Sequence, residues 1–460
     1  MGTIGLVLSL VALIVMALRG VNILIASLIC AAMVAITNNQ SLVEALSTDY
    51  IKSMMGFAGA FFTLFLTGAV FGQIMAESGA ANSMAIALRR VFGDQRSLLI
   101  IVVATTILTY GGVNVFIVVF ALYPLAVGLV HRANIPKRLL VGAVALGAGT
   151  YTMTALPGSP SIHNNISAQA LGTTLTAGPI LGLIAGAVMF ALGMAYLTWQ
   201  ERSARARGEV FTPGNHDAAI ESNPSEDELP NWLNAALPLT AVILFIVVPR
   251  LLLSFNTDAL AQVPEEHSVF IQLLALSKSN PVFWTSLALV VGILLAVILN
   301  RRYLDNPLKT ISSGAEKCAL PLLNTAAVIG FGGVVSTTPI FETFANTFTD
   351  SALPPLVAAT LSINVIAGIT GSASGGLQIW MSTFAQQFLD TGLNPGTLHR
   401  VVTIASGMFD SLPHSGAIIT MLTICGLTHR EAYKDIMVVT ILIPSIATAV
   451  ILIIAILTGG

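Results

Sequence analysis

The stretch TGSASGG, Thr370 to Gly376, interrupts an apolar run that extends from Leu356 to Leu389. A second stretch, TYGGVN from Thr109 to Asn114, interrupts the run from Ser97 to Val130 in the same way. Glycine destabilises a helix interior and tolerates positive φ. Each run therefore predicts two helices joined by a turn, either as one broken membrane crossing or as a hairpin that turns back inside the membrane.

The composition around these stretches is that of a membrane protein. The 460 residues are 55% hydrophobic and 9% charged, whereas a soluble domain carries about 25% charged residues. A net charge of -2 supplies no basic face, which excludes nucleic acid as a partner. The cysteines, Cys30, Cys318 and Cys425, lack metal-ligand spacing, so the sequence predicts no disulfide framework, no metal site and no cofactor.

Ten segments are apolar enough over about 20 residues to cross a bilayer as helices. The first begins without a basic region or a following cleavage site, so it is predicted to be a span and not a signal peptide. Two segments contain an internal break, one near Pro157 and one near Pro413. The predicted spans are residues 3–18, 21–37, 57–75, 139–171, 178–199, 232–252, 281–300, 319–336, 401–427 and 436–457.

Basic residues separate the two interpretations of the glycine-rich runs. Cytoplasmic loops carry an excess of Lys and Arg. If both runs are re-entrant hairpins, sixteen of the twenty basic residues lie in the cytoplasm, and those left outside are Lys52, Arg250, Lys278 and Arg400. Charge therefore favours hairpins, and it leaves no Lys or Arg within a predicted membrane core.

The two halves repeat the same order of parts. Residues 1–200 contain the hairpin 97–130 and the broken helix 139–171, and residues 232–460 contain the hairpin 356–389 and the broken helix 401–427. Residues 201–231 form a polar linker with an acidic run, predicted to be a solvated cytoplasmic connector. The predicted fold is an all-α polytopic membrane protein of two inverted repeats, with about ten transmembrane helices, two of them broken, and two re-entrant hairpins.

Paired broken segments in inverted halves are typical of secondary transporters, whose substrate site lies where the breaks meet. The alternative is that Gly and Pro only permit close helix packing and that the polar side chains bond to neighbouring helices. Because half-helix N-termini attract anions and hydroxyls bind polar groups, the breaks favour a small hydroxylated carboxylate. The candidate binding residues are Gly111, Gly112, Asn114, Thr154, Gly158, Ser159, Ser161, His163, Asn164, Ser372, Ser374, Gly375, Ser411, His414 and Ser415.

Asp410 is the acidic residue that lies immediately ahead of the second break. An ionisable group at membrane depth is costly and is usually functional, so Asp410 is the candidate for proton coupling. An equally weighted alternative is a helix cap, in which Asp410 accepts N–H groups of the following turn.

Three stretches resemble the gluconate permease (GntP) family of bacterial inner-membrane symporters. They are GAVFGQIMAESGAA from Gly68, LPGSPSIHNN from Leu156 and DSLPHSGAIITMLTICGLTHREAYKD from Asp410. The second is similar to the branch associated with 3-hydroxybutyrate, since it lacks the consecutive prolines of the sugar-acid branch. The resemblance implies proton-coupled uptake of a monocarboxylate such as gluconate, a hydroxybutyrate or D-serine, in a wider group where dimers are usual.

The leading hypothesis is therefore a multi-pass symporter in the bacterial inner membrane that couples protons to a small hydroxycarboxylate. Sodium coupling is an alternative, because backbone carbonyls at the glycine-rich breaks are potential sodium ligands. A channel is a less favoured interpretation. No convincing nucleophile and base pair is present in the sequence, so an enzyme is not predicted. A homodimer is left open.

Overall fold

The computed structural model describes residues 2–93, 96–110, 115–159, 161–213, 217, 229–255, 276, 280–338 and 352–458, and these residues are helical without a β-strand. The helices of the first half are α1 (Gly2–Leu18), α2 (Ile23–Thr37), α3 (Ile51–Glu77), α4 (Ala80–Phe92), α5 (Ser97–Tyr110), α6 (Val115–Arg132), α7 (Lys137–Gly149), α8 (Ile162–Leu171) and α9 (Pro179–Ala206). The helices of the second half are α10 (Trp232–Phe255), α11 (Pro281–Leu299), α12 (Pro307–Lys317), α13 (Ala319–Ser336), α14 (Pro355–Thr370), α15 (Ala373–Leu389), α16 (Pro395–Ser406), α17 (Gly416–Cys425), α18 (His429–Met437) and α19 (Ile443–Leu457).

Asn-Pro pairs start several helices of the second half. The Asn280, Asn306 and Asn394 side chains accept hydrogen bonds from N–H groups two or three residues later, at 3.2, 3.2 and 2.8 Å. The proline that follows each asparagine has its φ preset for the first helical turn. These local rules fix where α11, α12 and α16 begin.

Five helices of the described part are long and apolar enough to cross a membrane. They are Leu42–Glu77, which includes a π-helical turn ahead of α3, Pro179–Ala206, Val282–Leu299, Pro307–Ser336 and His429–Leu457. Six shorter apolar helices, among them α1, α2, α5 and α14, accompany them. The fold is thus that of a multi-pass membrane protein, while the number of spans and the inversion of the halves stay predictions.

A helical hairpin is formed by α14 and α15, which pack against each other across a two-residue connection. Gly371 ends α14 with φ +61°, a left-handed conformation that glycine adopts without strain. The Ser372 hydroxyl then accepts the Gly375 N–H at 3.2 Å and starts α15. In the first half α5 packs against α6, and the glycine-rich residues 111–114 between them lie outside the described residues.

Two helices are interrupted by irregular segments. The first break separates Thr154, which ends a short helical turn after α7, from Ile162, which begins α8. The second break separates Ser406, the end of α16, from Gly416, the start of α17, and contains a 3₁₀ turn at Phe409–Ser411. These names, first break and second break, are used below.

Helix packing gathers most of the helices into two groups. In one, α3 packs against α11, α12 and α13. In the other, α5 packs on α7, α8 on α15 and α16, and α9 on α19. Contacts of α6 with α3 and of α17 with α13 join the two groups.

The linker is bound to the helices at two described positions, so the prediction of a wholly solvated connector is wrong there. Asp217 is fully buried, where it pairs with Lys137 and accepts the Tyr123 hydroxyl at 2.6 Å. Glu209 pairs at 2.9 Å with Arg138, which also pairs with Asp435 of α18. The polarity of the linker had suggested solvation, but basic residues at the start of α7 supply buried partners for its carboxylates.

Asp435→Asn tests how strongly α7 is held to α18. The Asp435 side chain is 2% exposed and also accepts the Tyr196 hydroxyl at 2.8 Å. Losing the charged partner of Arg138 should reduce the free energy of unfolding by about 1–3 kcal/mol. Thermal unfolding in detergent should show a lower midpoint than for wild type, and the matched change Asp390→Asn at an exposed position should not. Equal midpoints for the two variants would contradict the assignment.

Candidate functional site

Side chains of α8 hold the first break in shape. The Asn164 amide donates to the carbonyls of Ser159 at 2.8 Å and Leu175 at 3.1 Å. The Ser161 hydroxyl caps α8 by accepting the Asn164 N–H at 3.2 Å and donates to the Met153 carbonyl at 2.7 Å. Asn164 and Ser161, both predicted to bind substrate, thus spend their hydrogen-bonding capacity on the backbone of the break.

Arg400 of α16 is fully buried against the first break. Its Nη1 donates to the Thr154 carbonyl at 3.2 Å and to Asn164 Oδ1 at 3.1 Å. Its Nη2 donates to the carbonyls of Leu175 and Ala177 at 3.1 and 2.8 Å, and its Nε donates to Ala177 at 3.0 Å. Every acceptor is a neutral oxygen, and no carboxylate of the described residues forms an ion pair with this guanidinium.

The expectation that no cation would lie at the breaks is therefore wrong. The charge pattern predicts Arg400 in an outer loop, because the apolar run begins at Val401. The helix instead begins at Pro395, so Arg400 lies inside its second turn, and the Asn394-Pro395 start signal was the available clue.

His399, the neighbour of Arg400, is a further residue that sequence reasoning missed. Its Nε2 lies 2.9 Å from Asn164 Oδ1, and its Nδ1 lies 2.6 Å from the Thr173 hydroxyl. Arg400 and His399 therefore share Asn164 as a common acceptor. Helix α16 of the second half fixes the first break through this pair.

Asp410 connects the second break to the hairpin α14–α15. It is 8% exposed, accepts the Ser411 hydroxyl at 2.9 Å and lies close to the backbone N–H of Ala373. Ala373 is the first residue of α15, so the carboxylate lies at the positive end of that helix. The carboxylate thus faces the start of the hairpin helix α15.

His414 packs against the turn of the same hairpin. Its Nε2 donates to the Gly368 carbonyl at 2.9 Å, and a Cβ at Gly371 would lie 3.3 Å from its ring. The carbonyl of Pro413, the residue before His414, accepts a hydrogen bond from His429 Nε2 at 2.6 Å. The turn and the second break thus form one packed unit.

Helix α5 of the first half contacts the first break in the corresponding way. Tyr110, the last residue of α5, donates its hydroxyl to the Pro157 carbonyl at 3.2 Å. Its own carbonyl accepts the Ser159 hydroxyl at 3.3 Å. In each half, the end of the first hairpin helix lies against the break of that half.

The two breaks meet at Thr154 and Gly407. A Cβ on Gly407 would lie 2.9 Å from Thr154 Cγ2, which is too close for a side chain, so glycine fits this contact. Close by, the Ser167 hydroxyl of α8 lies 2.7 Å from the Thr403 hydroxyl of α16. Thr154, a predicted binding residue of the first half, therefore lies against the end of α16, where the second break begins.

Some polar groups in this region have no protein partner among the described residues. They include three buried atoms, Thr109 Oγ1, His163 Nδ1 and His414 Nδ1. Ser374 is half-buried near the start of α15, and Ser415, buried ahead of α17, makes no side-chain capping hydrogen bond. Because a buried polar atom is costly without a hydrogen bond, these groups are the ones available to a ligand or water.

Other predicted residues are either engaged in hydrogen bonds with the protein itself or lie outside the described residues. Ser372 caps α15, the Gly158 N–H donates to the Leu175 carbonyl at 2.9 Å, and Gly375 donates to Ser372. Gly111, Gly112 and Asn114 lie outside the described residues. The groups free to bind are thus fewer than the sequence suggested.

A helical membrane protein whose two broken helices meet, each against a hairpin, has the construction of a secondary transporter. The sequence matches the family model described as GntP family permease over residues 1–458. The chain belongs to this family.

Its relatives include an uncharacterized transporter, YxjC, of Bacillus subtilis, which is 36% identical over 96% of both chains. The D-serine transporter DsdX of Escherichia coli is 23% identical, over 87% of this chain and 85% of its own. The Gnt-II system L-idonate transporter of Escherichia coli is 27% identical over 64% of each chain.

Arg400→Met tests whether the guanidinium holds the first break. The change removes the Arg400 donors of the Thr154 and Ala177 carbonyls and one of the three donors of the Leu175 carbonyl, so the free energy of unfolding should fall by about 3 kcal/mol. Arg400→Lys should restore only part of the loss, because an ammonium has three donors in place of five. Thermal unfolding in detergent measures both variants. Arg302→Met, at an exposed arginine, is the control, and a loss of stability no larger than in that control would refute the role.

Proposed function

We propose that this permease is a secondary active transporter that takes up a small hydroxylated monocarboxylate together with a proton across the bacterial inner membrane. The meeting of the two breaks at Thr154 and Gly407, beside the buried charge of Arg400, is the observation that carries the proposal. Alternating access would come from movement of the helices that bear the hairpins and breaks relative to the group around α3.

A carboxylate is favoured by the electrostatics of this region. Arg400 is buried with neutral acceptors, so its positive charge is not cancelled by a carboxylate of the described residues. Helices α8 and α17 begin at the breaks, and their N-termini add partial positive charge. An anion placed there gains from both sources without needing a direct ion pair.

Polar groups of the site and the names of two relatives support the inference that the substrate carries a hydroxyl group. His163 and His414 each have an unbonded ring nitrogen, and the Ser415 hydroxyl does not cap α17. D-serine and L-idonate, named for two relatives, are both hydroxylated carboxylates. The Leu156 stretch, which resembles the 3-hydroxybutyrate branch, favours a short hydroxy acid.

Asp410 is the proposed proton-coupling group. Its carboxyl lies at the start of α15 with only Ser411 and the Ala373 N–H as partners, so no cation of the described residues pairs with it. A proton on Asp410 would remove a negative charge from the region at the moment that the substrate adds one. Proton and carboxylate would then cross together with little change in net charge.

Asp410→Asn should abolish uphill uptake driven by a pH gradient, because the amide keeps the size of the side chain and cannot load a proton. Exchange of substrate across the membrane without a gradient should persist. Right-side-out vesicles with radiolabelled substrate measure both, with Asp390→Asn as the matched control. Full uphill uptake by Asp410→Asn would reduce Asp410 to a structural cap.

The substrate class is tested by screening the purified protein for thermal stabilisation with gluconate, 3-hydroxybutyrate, lactate, glycerate, D-serine and citrate. Short hydroxymonocarboxylates should raise the unfolding midpoint, since a ligand that binds only the folded state stabilises it. Stabilisation by citrate alone would contradict a monocarboxylate site. Uptake that requires sodium at fixed pH would favour sodium coupling, and ion currents without accumulation would favour a channel.

A further inference from the structure

A cavity separate from the breaks lies between the α3 group and the helices α6 and α17. The open space, its mouth included, is about 570 Å³. The residues that matter for its chemistry are Gln73, Phe120, Tyr123, Lys317, Pro321 and Thr423. Apolar rings and polar tips therefore share one cavity, as in sites for small polar molecules.

Lys317, the last residue of α12, is the cation of this cavity. Its Nζ donates to Gln73 Oε1 at 2.7 Å, and no carboxylate of the described residues lies within ion-pair distance of it. The Gln73 amide in turn donates to Glu77 Oε1 at 2.6 Å, so the Gln73 side chain lies between Lys317 and the Glu77 carboxylate. A lysine has three donors, and two of them remain for a ligand.

The other charged groups beside the cavity are already paired. The Tyr123 hydroxyl points to Asp217, and that carboxylate is neutralised by Lys137. Glu77 accepts from Gln73 and from Thr310. An arriving anion would thus meet the ammonium of Lys317, while the Glu77 carboxylate, which is hydrogen-bonded to neutral groups, lies beyond Gln73.

The cavity lies at the far end of the helix that starts at the second break. Helix α17 begins at Gly416, and Thr423 near its other end lines the cavity. At 1.5 Å per residue this is a distance of about 10 Å along the helix. Lys137 and Arg138 lie at the same end of the molecule as Asp217, on the side that the charge pattern assigns to the cytoplasm.

We propose that this cavity is a second binding site for the transported carboxylate, occupied on its way to the cytoplasm, and that Lys317 binds the carboxylate there. The inference rests on the proposed transport function. The ammonium would exchange the neutral Gln73 oxygen for a charged acceptor, which forms the stronger hydrogen bond. Thr423 and Tyr123 would face the hydroxylated part of the ligand.

Lys317→Met is the test, measured as half-saturation for 3-hydroxybutyrate from each side of the membrane in right-side-out and inside-out vesicles. D-serine replaces it as the probe if wild type does not carry 3-hydroxybutyrate. The half-saturation concentration on the cytoplasmic side should rise about tenfold, the loss expected for one charge-assisted hydrogen bond, while the outer value stays close to wild type. Lys317→Arg should keep most of the inner affinity, and Lys309→Met, at an exposed lysine of the same helix, should change neither value.

Each outcome separates the two proposals. Transport by Lys317→Met with unchanged inner half-saturation, or with an equal rise on both sides, overturns the second site and leaves the proposed function standing. A wild-type protein that accumulates none of the hydroxymonocarboxylates of the screen, namely gluconate, 3-hydroxybutyrate, lactate, glycerate and D-serine, overturns the proposed function itself. If Lys317→Met does not accumulate in the membrane, Thr423→Cys replaces it: labelling by an impermeant maleimide from the inner side should be slowed by the carboxylate, and unaltered labelling overturns the site.

Discussion

The fold depends on satisfying the backbone wherever a membrane helix is broken. A carbonyl or N–H group that loses its helical partner away from water costs free energy unless another group bonds to it. At the first break this need is met by Asn164 and by the buried guanidinium of Arg400, whose five donors reach carbonyls on both sides of the break. Since Arg400 belongs to the second half of the chain, the first half depends on the second to form its break.

The same arrangement accounts for the chemistry of the region. The donors that stabilise the first break bring a positive charge with them, whereas Asp410 brings a negative charge to the start of α15. Both charges are bonded mainly to neutral groups, so each stays responsive to an arriving ion. An anion and a proton are the species that would compensate them.

Local signals were sufficient for the interruptions and for the family. Gly371 ends α14 because its left-handed conformation suits glycine, and the segments around Pro157 and Pro413 are irregular, as proline within an apolar run suggests. The GntP resemblance, carried by three stretches, is confirmed by the match over residues 1–458. Composition alone indicated a multi-pass membrane protein, because so few charged residues are incompatible with a soluble surface.

The sequence by itself therefore determined the membrane class, the positions of the breaks and the set of polar residues near them, since each depends on neighbours a few positions away. Only the tertiary structure decided which of those residues are already engaged in hydrogen bonds within the protein. Asn164 and Ser161 hold the backbone, Asp410 binds a helix of the hairpin, and Arg400 reaches a break more than two hundred residues earlier in the chain. Such pairings depend on how distant segments pack, which no local pattern of charge or hydropathy records.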